Sequence, residues 1–413
     1  MARTLFDNVA ILDGSGAEPF PGRVLIEDNR IRSVMPAAAR EPIRDAQVID
    51  GSGATLMPGL IESHAHLSFT DIVAGPDLGA IPPEEHTLRT AHYARVLLEH
   101  GFTSCLSAAS AKPRLDIAVR NAIDAGDIPG PRMLAASPEL TVTSGLGDAR
   151  LSHLYRESFA TVCDGADQFR KVAREMCREG VDTLKINPSG DTFLPHSRSQ
   201  QTVMTEDEVA AVCDVAREHE LRVAAHARSA EAIKLCLRHS VRIIYHANFA
   251  DEQALDMLEA HRDSVFVAPT LGASIATLER GPQFGRARDP KVRATIELEL
   301  QGGIDTMRAL KQRRVRVLPG GDYGFAFNPN GENARDLVHF VERLGFSPLE
   351  AIAAATRHGG ELMGRGDELG QIRAGFLADL LLVDGDPTVD VAILQDAKRL
   401  RVIMKDGEMF KGP

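Results

Sequence analysis

Two histidines separated by one residue, His64 and His66, end the apolar run TLMPGLIESHAH. In an extended strand residues i and i+2 face the same way, so the two imidazoles can close on one metal ion. With 14 histidines in the chain, a lone pair of this kind is also a common surface accident. Lys185 lies in DTLKINPSG, where alternation can aim it inward among apolar neighbours. Burial disfavours its ammonium, and the neutral amine can take up carbon dioxide as a carbamate, an anion able to bridge two metal ions. A lysine that snorkels outward is the alternative. LRVAAHARS carries His226 and VRIIYHANF carries His246, each directly after an apolar run. A core histidine bonded to a backbone carbonyl is the plain alternative for either. In VRVLPGGDYG, Asp322 follows two glycines that let the backbone pass close to a bound group, unless the aspartate serves as a helix N-cap.

Imidazole and carboxylate together suit Zn2+. Two such ions about 3.5–4 Å apart can share a solvent molecule and lower its pKa from about 15.7 towards roughly 7. Hydroxide is then available at neutral pH to attack a carbonyl carbon.

These residues need a scaffold that brings strand ends together. Residues 1–55 alternate apolar and polar positions in short runs split by Gly, Pro and Asp, and the final stretch repeats that texture in ADLLLVDGD and RLRVIMKDGEMF, each with an Asp-Gly turn signal. The two ends, 1–55 and 367–413, are expected to share a small β-sandwich. Between them, over 56–366, apolar strands alternate with helix-length amphipathic segments, the pattern of βα units. Strands are expected near 56–63, 102–108, 132–136, 182–187, 222–226, 241–246, 264–269 and 315–321. Eight of them predict an α/β fold with a closed (β/α)8 TIM barrel, whose chemistry collects where strands end.

The 413 residues and 44% hydrophobic content allow that barrel with one smaller appended domain. A formal charge of -11 argues against nucleic acid or an anionic membrane as partner. Five cysteines, odd in number and without a CxxC pair, predict free thiols in a reducing cytoplasm. Neither a leader pattern at MARTLFDNVAILDG nor an apolar run of membrane-spanning length is seen, so a cytoplasmic protein is expected. GxSxG elbows are absent as well.

Taken in order, the HxH pair, Lys185, His226, His246 and Asp322 form a pattern that resembles the amidohydrolase superfamily, in the binuclear class with a carboxylated lysine. The entry motif LMPGLIESHAHLS, the GGD before Tyr323 and the tail SPLEAIAAATRHGGELMGRGDELGQIRAGFLADLLLVDGDP carry the resemblance nearly end to end. Within the superfamily the chain is most similar to the imidazolonepropionase-like and Xaa-Pro dipeptidase-like hydrolases. The resemblance implies that His64, His66 and Asp322 hold a more buried zinc and His226 and His246 a more exposed one, with carboxylated Lys185 bridging them. It implies that Asp322 is also the catalytic proton carrier, and that the protein is a homo-oligomer acting on a small amide such as an N-acyl amino acid or dipeptide. A cyclic amide, aryl amide, carbamate or urea is the alternative substrate, and a noncatalytic scaffold on the same fold the alternative class.

Two departures bear on substrate. Dipeptidase-like relatives carry Gly-Gly-His-Gly after the third strand, where this chain has TSGLGDARLSH with Leu146. They often place Tyr two residues after the fifth-strand histidine, where this chain has Arg228, a residue able to grip an acidic group bidentately or to pair with a neighbouring carboxylate. The second strand lacks their Arg-Asp pair and has Ser107, Ala108, Ala109 and Ser110 instead. His153, Tyr155 and Tyr323 are further candidates to reach substrate from loops. Tyr245, adjacent to His246, is expected to point outward. The tract FVAPTLGASIATL either lines an apolar pocket or continues the core into a helix.

Overall fold

The computed structural model of the chain describes residues 3–39, 43, 45–154 and 158–412. The β-rich segments at both ends join one eight-stranded sheet. Arg3–Ile11 pairs antiparallel with Phe20–Glu27, which pairs with Arg30–Pro36. Thr55–Pro58 runs parallel to Arg3–Ile11 and antiparallel to Leu380–Val383, so the two ends of the chain are hydrogen-bonded through it. Leu400–Lys405 and Glu408–Lys411 follow, joined at the expected Asp-Gly turn. Asp406 and Gly407 both have positive φ there, as a two-residue hairpin requires. Phe6, Val24, Leu56, Leu380 and Val402 are buried together as the core of this unit.

Between the ends, strands alternate with helices, and the strands are numbered here from the first that follows the terminal unit. They are β1 (Leu60–Ala65), β2 (Phe102–Ser107), β3 in two pieces (Arg132–Leu134 and Ala136–Thr141), β4 (Thr183–Ile186), β5 (Arg222–Ser229), β6 (Ile243–Phe249), β7 (Phe266–Ala268) and β8 (Arg316–Val317). Every ladder among them is parallel. β1, β2 and the first piece of β3 form one run; the second piece of β3 leads another through β4, β5, β6, β7 and β8. The two runs meet covalently at Ala135. At their far ends Ala65 bridges in parallel to Tyr323, just past β8, and the Ser63 hydroxyl donates to the Pro319 carbonyl at 2.5 Å.

The intervening helices are amphipathic for a simple reason: each must cover a strand on one side and meet water on the other. Ala166–Glu179, for example, buries Phe169, Ala173 and Met176 at helical spacing. Thr205 with Glu208, and Ser347 with Glu350, close capping boxes at two helix starts.

The stretch expected as one strand over 56–63 is two. Leu56 and Met57 belong to the terminal sheet, and β1 begins only at Leu60. Gly59 makes the transition against Thr103 of β2, so closely that a Cβ would fall on that side chain. The terminal unit is also tied to β3 by Arg132, whose guanidinium contacts Asp379 and Asp406. Asp379 is only 2% exposed, so removing its partner strands a buried charge. Arg132→Met is therefore expected to cost about 3–5 kcal/mol, read as a lowered urea midpoint; an unchanged midpoint would show that this pair does not couple the two parts.

Candidate metal centre

His64 and His66 leave β1 on one face, as their spacing requires. Their Nε2 atoms are 3.1 Å apart, and Asp322 Oδ1 lies 3.6 Å from the first and 3.2 Å from the second. Nitrogen ligands about 2.0–2.1 Å from a tetrahedral zinc stand about 3.3 Å apart, so this donor set has the spacing of a divalent-ion site. The His66 Nδ1 faces the Ala109 carbonyl at 3.2 Å, which fixes the proton on that nitrogen and leaves Nε2 its lone pair. His226 Nε2 faces the Gly190 carbonyl at 3.1 Å, leaving the lone pair on Nδ1. His246 Nδ1 is 2.5 Å from the Thr270 hydroxyl, and its ring centroid is 4.2 Å from that of His226. Ligand atoms of His64, His246 and Asp322 all fall within 4.8 Å of one another, so the two sets implied by the resemblance adjoin through Asp322.

The backbone is bent to achieve this. His246, Ala247, Thr270 and Asp322 all have φ between 48° and 74°, a left-handed conformation that costs a non-glycine residue energy and is tolerated where the surroundings enforce it. The turn at His246 breaks strand alternation, which corrects the expectation for Tyr245: it points inward. Its ring lies 3.9 Å from that of His64, its hydroxyl donates to the Ser63 carbonyl at 2.9 Å, and Lys185 Nζ sits 4.4 Å from its ring centre. Gly320 serves β1 rather than a ligand, since a Cβ there would stand 2.9 Å from His64 Cβ. Asn328 holds the Asp322 carbonyl at 3.0 Å, and Asp336 accepts from the Gly320 N–H at 3.0 Å.

Burial sets the protonation states. It pushes His64 and His246 well below the ordinary histidine range and His226 to about 3, with the Arg228 charge adding to the effect on His226. All three imidazoles are neutral at pH 7. Burial also lowers Lys185 to about 8, against the pull of Glu139 and Asp322. For Asp322 burial acts upward, yet the surrounding His64, His66 and Lys185 hold it below the usual carboxylate range. Glu139 lies directly across the β3–β4 ladder from Lys185; burial raises its pKa, and its Oε2 has no hydrogen-bond partner among the described residues.

These groups floor a cavity of about 450 Å³. Arg228 lines it, on the same face as His226, and is itself engaged: Nε donates to Asp191 at 2.7 Å, and Nη1 donates to Asn248 at 2.8 Å and lies 3.8 Å from Glu299. Leu146 lines it as well, with no charge to offer. Tyr323 does not line it: the ring is fully buried and its hydroxyl donates to Asp336 at 3.2 Å, because the left-handed Asp322 turns the two side chains apart. His153 is exposed on its loop and away from the cavity lining, and Tyr155 falls outside the described residues. Ala273, Ser274 and Thr277 from the FVAPTLGASIATL tract contribute to the wall. Ser107 turns aside to Asp116. The sequence reading missed Glu139, Asp191 and Glu299. Glu139 left one signal, an acid inside the buried strand ASPELT.

The profile of the amidohydrolase family matches residues 55–410. Ochratoxinase from Aspergillus niger is 24% identical over 98% of this chain and 85% of its own length. Imidazolonepropionase from Stenotrophomonas maltophilia is 25% identical over 94% of this chain and 92% of its own. A crystal structure of a prolidase complexed with N-methylphosphonate-L-proline superposes with a TM-score of 0.90 at 28% identity, covering both chains completely. Such likeness implies a TIM-barrel α/β fold.

His226 takes up its proton near pH 3 in the fold, against a value of 6.5 for a free histidine. Between those values the unfolded chain binds more protons, so stability falls as the pH drops through that window. In urea titrations of metal-stripped protein from pH 7 to 4, wild type should lose more stability than His226→Gln; parallel losses would mean that this imidazole is not buried in its neutral form.

Proposed function

The chain belongs to the amidohydrolase family and is a hydrolase of carbon–nitrogen bonds, and from that premise we propose that it cleaves an amide-type bond of a small molecule such as an N-acyl amino acid or dipeptide. The observation that carries this reading is the convergence of His64, His246 and Asp322 at the floor of a cavity of ligand size. Two divalent ions, zinc by the chemistry of the donors, would be held by His64, His66, His226, His246 and Asp322 with Lys185 as carbamate between them, and would supply water acidified to near neutrality.

The chain's own residues do the rest. Lys185, with its pKa near 8, is partly neutral at pH 7; the amine nitrogen bonds to the carbon of CO2 and releases one proton, giving the carbamate. Asp322, ionised well below neutrality, accepts a proton from the attacking water and hands it to the departing nitrogen. Arg228 steadies Asp191, whose Oδ2 lies 3.5 Å from His226 Nε2, and Thr270 steadies His246. Apolar walls limit competing water.

A closed barrel and a sandwich built from the two ends, with Leu56 and Met57 on the sandwich side of the expected boundary at 55/56, complete the reading, supported by the Ala65–Tyr323 bridge and by the strands the two ends share. A homo-oligomer in the cytoplasm is part of it. No helix among the described residues is long and apolar enough to cross a membrane, and none of the five cysteines is in a disulfide. The second reading, a cyclic amide opened by the same chemistry, is favoured by the imidazolonepropionase likeness. N-acyl amino acids and dipeptides assayed beside lactams and ureas separate the two.

Asp322→Asn, reconstituted with zinc and bicarbonate and checked for metal by mass spectrometry, is expected to lose about 100-fold or more in kcat. Turnover near the wild-type rate with metal bound would remove Asp322 from proton transfer. Chelation should abolish turnover and zinc with bicarbonate restore it; a purified chain that takes up no metal under those conditions would indicate a scaffold.

A further inference from the structure

Apart from Lys185 and Glu139 on its floor, the charged side chains lining the cavity are, with one exception, already engaged in hydrogen bonds or ion pairs. Arg228 is shared by Asp191, Asn248 and Glu299. Asp289 caps the helix Pro290–Gln312 through the Lys291 N–H, and the Arg288 Nε donates to the Pro282 carbonyl. Arg286 is the exception. It lines the cavity, is half-buried, and makes no side-chain hydrogen bond or ion pair within 4 Å among the described residues; Asp191, already bound to Arg228, attracts it only from farther off. Its guanidinium lies 4.2 Å from the centre of the Phe193 ring, a cation–π contact that leaves the planar edge of five N–H donors unused. A guanidinium remains charged even when half-buried, so desolvating it without an anion is unfavourable.

Aromatic rings connect this cation to the metal centre. Phe69 stacks on His66 at 4.1 Å between centroids, Phe325 follows Phe69 at 5.7 Å, and Phe193 follows Phe325 at 5.6 Å. Gly75 keeps its backbone against Phe159 and Phe193, with room for no Cβ. The wall is therefore apolar from the histidines to the guanidinium. Around the floor stand Glu139, Asp191, Glu299 and Asp322, carboxylates that disfavour a second acid placed among them and outside the metal shell. The two positions where relatives were expected to hold a substrate acid offer none of that binding here: Leu146 is neutral, and Arg228 is taken.

We propose that Arg286 is the anion anchor of this cavity, so that the preferred substrates are amides with an apolar, ring-bearing part along the Phe69–Phe325–Phe193 wall and a carboxylate at its end away from the scissile bond. The proposal rests on the reading of this cavity as the substrate site. The carboxylate accepts N–H donors from Arg286 while the ring lies on the phenylalanines, and the amide reaches the metal centre.

The test measures binding and turnover separately. 4-Acetamidobenzoate and acetanilide share an amide and a ring and differ only in the distal carboxylate. By calorimetry on zinc-loaded protein, the acid should bind more tightly than acetanilide, and Arg286→Gln should weaken the acid by roughly 10-fold or more beyond any change for acetanilide. Arg286→Lys should recover part of the loss, and the preference should shrink as salt is raised. Equal wild-type affinities, no binding of the acid, or an equal loss for both ligands in Arg286→Gln would overturn the anchor. Turnover reports on the other reading: tight, Arg286-dependent binding with no hydrolysis of any amide would keep the anchor and sink the hydrolase.

Discussion

Four imidazoles, an amine and several carboxylates share the floor of one apolar cavity, and the structure depends on none of them carrying an unpaired charge there. Burial removes the protons from His64, His226 and His246 and weakens the hold of Lys185 on its own. What would be a penalty in an ordinary core becomes a set of lone pairs facing one another, His64 Nε2 against His66 Nε2 at 3.1 Å, with Asp322 beside both. Such a cluster of lone pairs suits a shared cation. The same desolvation that disfavours charged histidines leaves their lone pairs suited to a cation, and it favours the neutral amine of Lys185.

Holding the cluster requires backbone that ordinary strands do not supply. Left-handed residues fall within β6 at His246 and Ala247, after β7 at Thr270 and after β8 at Asp322, where they break the alternation of side chains. Tyr245 and His246 both reach the interior because of one such residue. Tyr323 is turned away from the cavity beside another. Beside these candidate ligands Arg228 is held by the charges of Asp191 and Glu299 and by the neutral amide of Asn248, and Asp191 also faces His226. The uncommitted charge is left higher up, at Arg286.

The candidate donor residues were legible because they obey local rules. An i, i+2 pair at a strand end must share a face, and an apolar run followed by His or Asp marks a strand end without reference to any other part of the chain. The alternation of strands and amphipathic helices was legible for the same reason. Glu139 was not, because its meaning comes from lying across a ladder from Lys185, and the register between two strands separated by a helix is set by packing. The division of 56–63 at Pro58 and Gly59 was also hidden, since an apolar run reads alike whether it lies in one sheet or passes between two.

By itself, then, the sequence determined the order of elements, the pairs that share a face within each strand and the donor types of the candidate centre, all of which follow from the period of a strand and the chemistry of single side chains. The tertiary structure alone decided which charges cancel. It matched Arg228 to Asp191 and Glu299, buried Tyr323 against Asp336, brought Tyr245 inward and left Arg286 with no carboxylate in hydrogen-bonding reach among the described residues. Whether a charge is spent or free depends on what stands within about 4 Å of it in space, and no spacing along the chain encodes that distance.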